Sequence, residues 1–600
     1  MDRRRLLQAI SGLPFIRLLF GASTDAATSP FRRVRPGDPG WPSDEAWAEL
    51  GRRLDGRLIK VKSPLAQCVG APFDAACAEV FKELKNPYSL GDEVGLTQSL
   101  GWIGAWTSEP SVYAVAAESA RDVAAAVNFA RTHNLRLVVK GGGHSYQGTS
   151  NAADSLLMWT RSMQSVVLHD AFVGSGCEGS VPSQPAVSIE AGAIWGRVYD
   201  QVSVKAGRYV QGGGCLTVGV AGFLNGGGFG SLSKNFGIGA ASLLEAEVVT
   251  ADGDIKLANA CTNPDLFWAL KGGGGGFGVV TRVTVRTHEL PEFIGIAVGA
   301  IKAASDDAFR RLVSETMRFY REALFNPHWG EQLSFQRGDV LSIQMVFHSL
   351  SRDQAEAVWK PFFDLVRSSP QDFAFVLPPQ VQAAPGRLIW DPAVLRTIPG
   401  LVIADDRKGA PEGNIFYVGN LGEVGRVWHA YQSAWLPASL LEAADRDRLV
   451  GALIAASKHW PVTLHVNKGL AGGRTEVLES AKDTPMNPAV VDAFALVIAG
   501  AGEEPAYPGV AGHEPNVAEA QAQAAAVSAA MNEIRKLAPQ GGSYVWETDY
   551  FEPDWQRSFW GDNYARLSAI KKKYDPDGLF FLHHGVGSED WSADGFTRLR

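Results

Sequence analysis

The sequence predicts an α+β protein in which small sheets precede a larger antiparallel one. Three observations carry this. A β-α-β pattern between Val112 and Val139 runs straight into Gly141-Gly142-Gly143. A second glycine-dense block, Gly212 to Gly230, is interleaved with Val, Leu and Phe, which flexible linkers lack. Past Leu290, long helical periods alternate with strand-like stretches, the pattern of an antiparallel sheet backed by helices.

A chain of 600 residues favours more than one domain. The net charge of −8 gives no reason to expect nucleic acid or an anionic membrane as a partner. No run of about 20 apolar residues could span a bilayer. A monomer is expected. Residues 1–27 read as an export leader: Arg3-Arg4-Arg5-Leu6-Leu7 precedes an apolar run from Ala9 to Ala22, the twin-arginine pattern. Arg17 interrupts that run, so a plain basic tail is the alternative. Five cysteines fit an oxidising compartment. Cys68 could pair with Cys77 and Cys177 with Cys261, leaving Cys215. Reduced, buried thiols are the alternative.

Residues 28–108 are Trp-rich without a clear period and read as a helical N-terminal wrap. Val112 to Ala116 alternates as a strand, and Ser119 with Asp122 forms a capping box for the helix that follows. Its buried stripe is Val123, Val127 and Ala130. Leu135 to Val139 is the next strand. Ala186 to Glu190 and Glu245 to Thr250 are further strands, the latter turning at Asp252-Gly253. Trp195 to Ala206 is a helix, and Asn263-Pro264 opens a short one. Val279 to Val285 closes this half. Residues 289–538 bring helices at Asp306–Leu324 and Arg352–Ser368 among strands such as Val340–Phe347 and Val462–Val466.

The chemistry concentrates in two places. In Lys140-Gly141-Gly142-Gly143-His144-Ser145-Tyr146 a strand meets glycines that let backbone lie against a ligand, with a histidine at the lip. A surface histidine on an ordinary turn is the bland alternative. The second is Gly212-Gly213-Gly214-Cys215-Leu216-Thr217-Val218-Gly219. Neither ends in Gly-Lys-Ser/Thr, nor matches the dinucleotide fingerprint.

Together the two blocks resemble the berberine bridge enzyme-like flavoproteins, of the vanillyl-alcohol-oxidase superfamily with its PCMH-type FAD-binding domain. The likeness spans about Pro110 to Trp591. It implies an FAD-binding domain of two small α/β subdomains over residues 109–288 and a substrate domain over 289–538. The chain then returns to the FAD domain over 539–600, where Phe559-Trp560-Gly561-Asp562-Asn563-Tyr564 carries the match. It also implies a bicovalent FAD, with His144 on the flavin 8α-methyl and Cys215 on C6. On this resemblance the cofactor-binding residues are Lys140, Gly141, Gly142, Gly143, His144, Ser145, Gly214, Cys215, Val218, Gly219, Gly222, Gly226, Gly230, Val249, Asn563 and Tyr564. Two tethers would raise the flavin potential and suit hydride acceptance. Export of a folded, FAD-loaded protein fits the twin-arginine leader.

Four residues are candidates around the substrate. Val218 stands where the family gates dioxygen, and its short side chain favours an oxidase that makes hydrogen peroxide over a dehydrogenase. Glu547 stands at a substrate-facing family position; partial desolvation would suit it as a base, and a salt-bridged strand glutamate is the alternative. His465 and Asn467 alternate with Val466 and would share a pocket face, unless that face is a polar, solvated one. The chain departs from the family at Leu216, at Ala241-Ser242 and at Trp546. A small-molecule substrate with a C–OH or C–N centre is expected: a sugar, an oligosaccharide, an alkaloid-like amine or a polyketide-type alcohol. A catalytically silent binding protein is the alternative from another class.

Overall fold

The computed structural model describes residues 31–599. The leader expected over 1–27 lies outside the described residues. Three sheets organise the rest. A four-stranded sheet takes Leu58–Lys60, Tyr113–Ala116, Ser155–Trp159 and Arg136–Lys140 in that order. Its last three strands are parallel, as a β-α-β crossover requires. The crossover helix is Ala120–Thr132, capped reciprocally by Ser119 and Asp122. Its stripe of Val123, Ala126, Val127 and Ala130 is fully buried.

A six-stranded antiparallel sheet follows, centred on Val279–Glu289 and Leu243–Val249. Gly253 turns the hairpin at φ +83°, where a Cβ is disfavoured. Asn263 does precede the helix Pro264–Leu270, but it is left-handed and caps nothing; its side chain binds Leu257 O instead.

The largest sheet has nine strands. Helices Asp306–Phe319, Arg352–Arg367, Arg446–His459 and Val517–Arg535 bury one face of it. Strand alternation divides the faces. Val462, Leu464 and Val497 point to the helices, whereas Leu496, Ile498 and Trp435 point to the glycine-rich half and share its core with Trp195 and Phe229. The second face is therefore covered by protein around Trp435 and Leu496, and open near Thr463 and Gly500. Five of the tryptophans (Trp102, Trp195, Trp359, Trp435 and Trp560) are fully buried core residues.

The N-terminal segment is helical only in part. Leu58–Lys60 edges the four-stranded sheet, and Ser99–Trp102 pairs parallel with Arg426–Pro437 of the large sheet. Disulfides join Cys68 to Cys77 and Cys177 to Cys261. The C-terminal segment returns to the first sheet, where Phe580 bridges Leu137. No helix of the described residues is long and apolar enough to cross a membrane.

Candidate functional site

The two glycine blocks meet backbone to backbone. A Cβ on Gly142 would lie 2.7 Å from Gly219 N, and one on Gly219 would lie 2.8 Å from Gly142 N. Both must be glycine for the loops to close. We expect Gly142→Ala to destabilise the fold by about 1–3 kcal/mol, measured by chemical denaturation, because main-chain atoms must shift. An unchanged midpoint would mean that the loops yield freely.

That contact brings His144 and Cys215 to one hydroxyl. His144 Nε2 lies 3.1 Å from Thr217 Oγ1, and Cys215 Sγ lies 3.5 Å from the same atom. Thr217 is buried. Burial, then the nearby Arg161, pulls His144 down to about 3. Its ring is neutral at ordinary pH and so able to act as a nucleophile. Burial, then Glu423, pushes Cys215 up to about 11. Cys215 is the free cysteine among those described. It lies deep between the sheets yet keeps accessible surface, as does Gly214 beside it. A Cβ on Gly214 or Gly222 would meet nothing within 4 Å. The backbone beside Cys215 thus leaves open space of the kind that a flat cofactor requires.

The other expected cofactor residues make the following contacts within the protein. Lys140 points away: its fully buried ammonium donates to Leu90 O at 3.2 Å and to Glu93 O and Leu96 O at 2.6 Å. It ties the N-terminal segment under the His144 loop. Ser145 Oγ accepts from Gln147 N and Thr149 N, both at 3.2 Å, and so shapes the loop. Gly141 packs against Ala191 O, and Gly143 turns at φ +75°. Gly226 lies under the Trp546 indole and Gly230 against Gly212 O, so both serve close packing. Trp546 Nε1 donates to Gly222 O at 2.9 Å. Val249 is a core residue, paired on both sides within its sheet. Asn563 donates to Met486 O at 3.0 Å, and Tyr564 donates to Glu589 at 2.5 Å. Both fasten the C-terminal segment. Val218 is half-buried three residues after Cys215, at the margin of the core.

On the large sheet, His465 ends its strand on the face covered by the glycine-rich half. Burial, then Lys468, holds it well below the usual imidazole range. Asn467 does not share that strand. The chain turns at Val466, and Asn467 donates to Gly230 O at 3.3 Å. Its Oδ1 is buried without a partner among the described residues. Glu547 is half-buried and ion-paired with Lys468, so it is the salt-bridged alternative that the structure places here.

Two side chains escaped the sequence reading. Tyr146 packs at a tilt against Trp428 and Tyr431, at centroid distances of 4.6 and 5.2 Å. Glu423, on the turn before Arg426–Pro437, lies within electrostatic reach of Tyr146 and Cys215. Nothing local marks Glu423; only the fold brings it there. Tyr146 stands two residues from His144 in the quoted motif, and that adjacency could have drawn attention to it.

Comparison with known proteins agrees with this geometry. Residues 111–259 match the FAD binding domain family, and residues 543–587 match the berberine and berberine-like family. A VAO-type flavoprotein oxidase of Thermothelomyces thermophilus is 30% identical, across 96% of this chain and 97% of its own. The chain belongs to the berberine bridge enzyme-like FAD-linked oxidoreductases. An FAD-linked oxidoreductase of Trichophyton verrucosum is also 30% identical, over 96% of this chain and 93% of that one. The solved structure of a VAO-type flavoprotein from Myceliophthora thermophila C1 superposes with a TM-score of 0.76 at 27% identity, covering 94% of this chain and 99% of that one. A glucooligosaccharide oxidase of Acremonium strictum shares the fold, with a TM-score of 0.59 at 20% identity over 80% and 92% of the two chains. The protein is an FAD-dependent oxidoreductase acting on a small-molecule substrate.

Buried neutral histidines make this family member sensitive to acid. Burial holds His144 and His584 at about 3, and His288 and His348 at about 4. Each folded value lies below the ordinary 6.5, so the unfolded chain binds more protons between them. Stability is full above pH 6.5 and is lost as pH falls toward 3–4. For the flavin-free protein we expect melting at pH 4.5 at least ~5 °C below that at pH 7.5. A flat profile would contradict neutral buried rings.

Proposed function

We propose that this protein is an oxidase. It takes hydride from a C–OH or C–N centre, passes the electrons to dioxygen, and holds its FAD through both His144 and Cys215. One observation carries the reading: two nucleophiles from separate glycine blocks converge on Thr217 Oγ1, beside backbone that leaves room for a flat ring. The glucooligosaccharide oxidase is described as carrying a 6-S-cysteinyl, 8α-N1-histidyl FAD, which supports the same pairing here.

The cofactor, when bound, supplies a two-electron acceptor for substrate hydride. The chain's residues do the rest. His144 and Cys215 would fix its position, with Thr217 orienting the imidazole and the thiol. Because the thiol is pushed up to about 11, Thr217 is the group placed to ease its deprotonation. Trp428, Tyr431 and Tyr146 form an aromatic cluster next to the His144 loop. Val218, short and half-buried, leaves room for dioxygen.

A panel of cellobiose, 4-methoxybenzyl alcohol and N-methylbenzylamine, followed by oxygen uptake and peroxide formation, tests this. Flavin reduction without oxygen consumption would mean a dehydrogenase. No reduction by any member would put the substrate outside these three compound classes. Both disulfides fit export to an oxidising compartment by the twin-arginine route. Replacing Arg3, Arg4 and Arg5 by Lys should then retain the protein in the cytoplasmic fraction of a bacterial host, and unchanged export would reject that route.

A further inference from the structure

On the face of the large sheet that bears Ile498, a cavity of about 400 Å³ is lined by Trp428, Tyr431 and Trp460 together with Arg426 and Thr463. Its aromatic walls are held from behind. Trp428 Nε1 donates to Ser99 Oγ at 2.9 Å, and Trp460 Nε1 donates to Gly500 O at 3.0 Å. Trp428 and Tyr431 meet edge to face, with centroids 5.1 Å apart. Both rings also touch Tyr146, two residues after His144, so the cavity adjoins the cofactor loop. The strand that begins at Arg426 is tied to the same loop through one residue: Gly425 N donates to Gln98 O at 2.8 Å, and Gln98 N donates to Gly143 O at 3.0 Å.

Of the described residues lining the cavity, Arg426 alone is charged. One of its terminal nitrogens donates to Gly502 O at 2.7 Å. Among the described residues it makes no ion pair, because the acids around it are engaged elsewhere. Glu503 receives the Asn516 N–H at 3.1 Å and faces His429. Glu504 pairs with Lys85 at 2.8 Å, and Glu547 pairs with Lys468. Glu423 feels the guanidinium charge from beyond ion-pair contact. A guanidinium presents a planar fork of donors that matches a carboxylate in bidentate fashion. Here that fork stands beside three aromatic rings with no carboxylate of the protein paired to it.

We propose that this cavity takes a substrate with a flat body and a carboxylate, the body lying against Trp428, Tyr431 and Trp460 and the carboxylate on Arg426. That the ligand is the substrate rests on the function proposed above; that an organic anion binds here does not. Two kinds of flat body suit aromatic walls, a benzenoid ring and a pyranose ring, and the carboxylate is what both would share. Arg426 then sets specificity. A neutral counterpart of the same shape would forgo the charge-assisted pair and leave the guanidinium without its countercharge.

Calorimetric titration of the flavin-loaded enzyme with matched pairs tests this: 4-methylbenzoate against 4-methylbenzamide, and cellobiouronate against cellobiose. At least one anion should bind about tenfold or more tightly than its neutral counterpart, and the pair that shows the preference names the body. Arg426→Met keeps the apolar stem and should erase the preference, whereas Arg426→Lys should keep part of it. Trp460→Ala should weaken both members of the pair alike. Added salt should shrink the preference. Equal affinities within both pairs, no binding of either anion, or a preference that survives Arg426→Met overturns the proposal. Anaerobic flavin reduction by 4-(hydroxymethyl)benzoate and by benzyl alcohol reads the redox chemistry separately. Anion binding without flavin reduction would uphold the site and count against the oxidase reading, and flavin reduction without any anion preference would do the reverse.

Discussion

The denatured, acid-precipitated protein should stay yellow. His144→Ala alone should keep flavin through Cys215, Cys215→Ala alone should keep it through His144, and the double variant should release it to the supernatant. The expectation follows from the convergence of both side chains on Thr217 Oγ1, at 3.1 and 3.5 Å. A single tether would leave one of these residues idle beside Thr217. Asymmetry between the single variants is also expected. His144 is neutral and ready, whereas the Cys215 thiol, at about 11, must lose its proton first. Flavin attachment in His144→Ala should therefore be slower than in Cys215→Ala, and faster at pH 9 than at pH 7, since thiolate grows about tenfold per pH unit below its pKa. A colourless pellet from the wild type would remove covalent attachment altogether.

Val218→Leu should slow flavin reoxidation by dioxygen at least tenfold, which corresponds to about 1.4 kcal/mol of barrier, and leave reduction by substrate nearly unchanged. Val218 is half-buried three residues after Cys215, so an added methylene would fill space beside the proposed tether. Stopped-flow measurement of the two half-reactions separately checks this. Equal reoxidation rates would make Val218 ordinary packing. A slowed reduction instead would put it on the substrate side.

Much of this was legible in the sequence where the determinants are local. The capping box at Ser119 and Asp122, the β-branched strand into Gly141, and the turn at Gly253 are short-range features that tertiary context did not override. Both disulfide pairings were also among those considered. The site was legible through its two glycine blocks, because only glycine permits the approach of Gly142 to Gly219. What the sequence hid is the direction of side chains. Lys140 alternates with its neighbours as any strand residue does, and nothing nearby shows that its ammonium has three carbonyl partners some 44–50 residues earlier in the chain. Asn467 follows His465 by two, which suggests a shared face, but the strand ends first. Thr217 meets both His144 and Cys215 only when distant loops close on one another. The pairing of Glu547 with Lys468 likewise joins residues 79 apart, so the sequence shows a candidate base and not its countercharge.

The central claim is that one flavin is fastened by His144 and Cys215 together. Mass spectrometry of the proteolysed, denatured protein tests it most directly. The account predicts one species in which the peptide containing His144 and the peptide containing Cys215 are joined through a single flavin, with neither found unmodified in quantity. Recovery of both peptides free, or of flavin on only one of them, would contradict it.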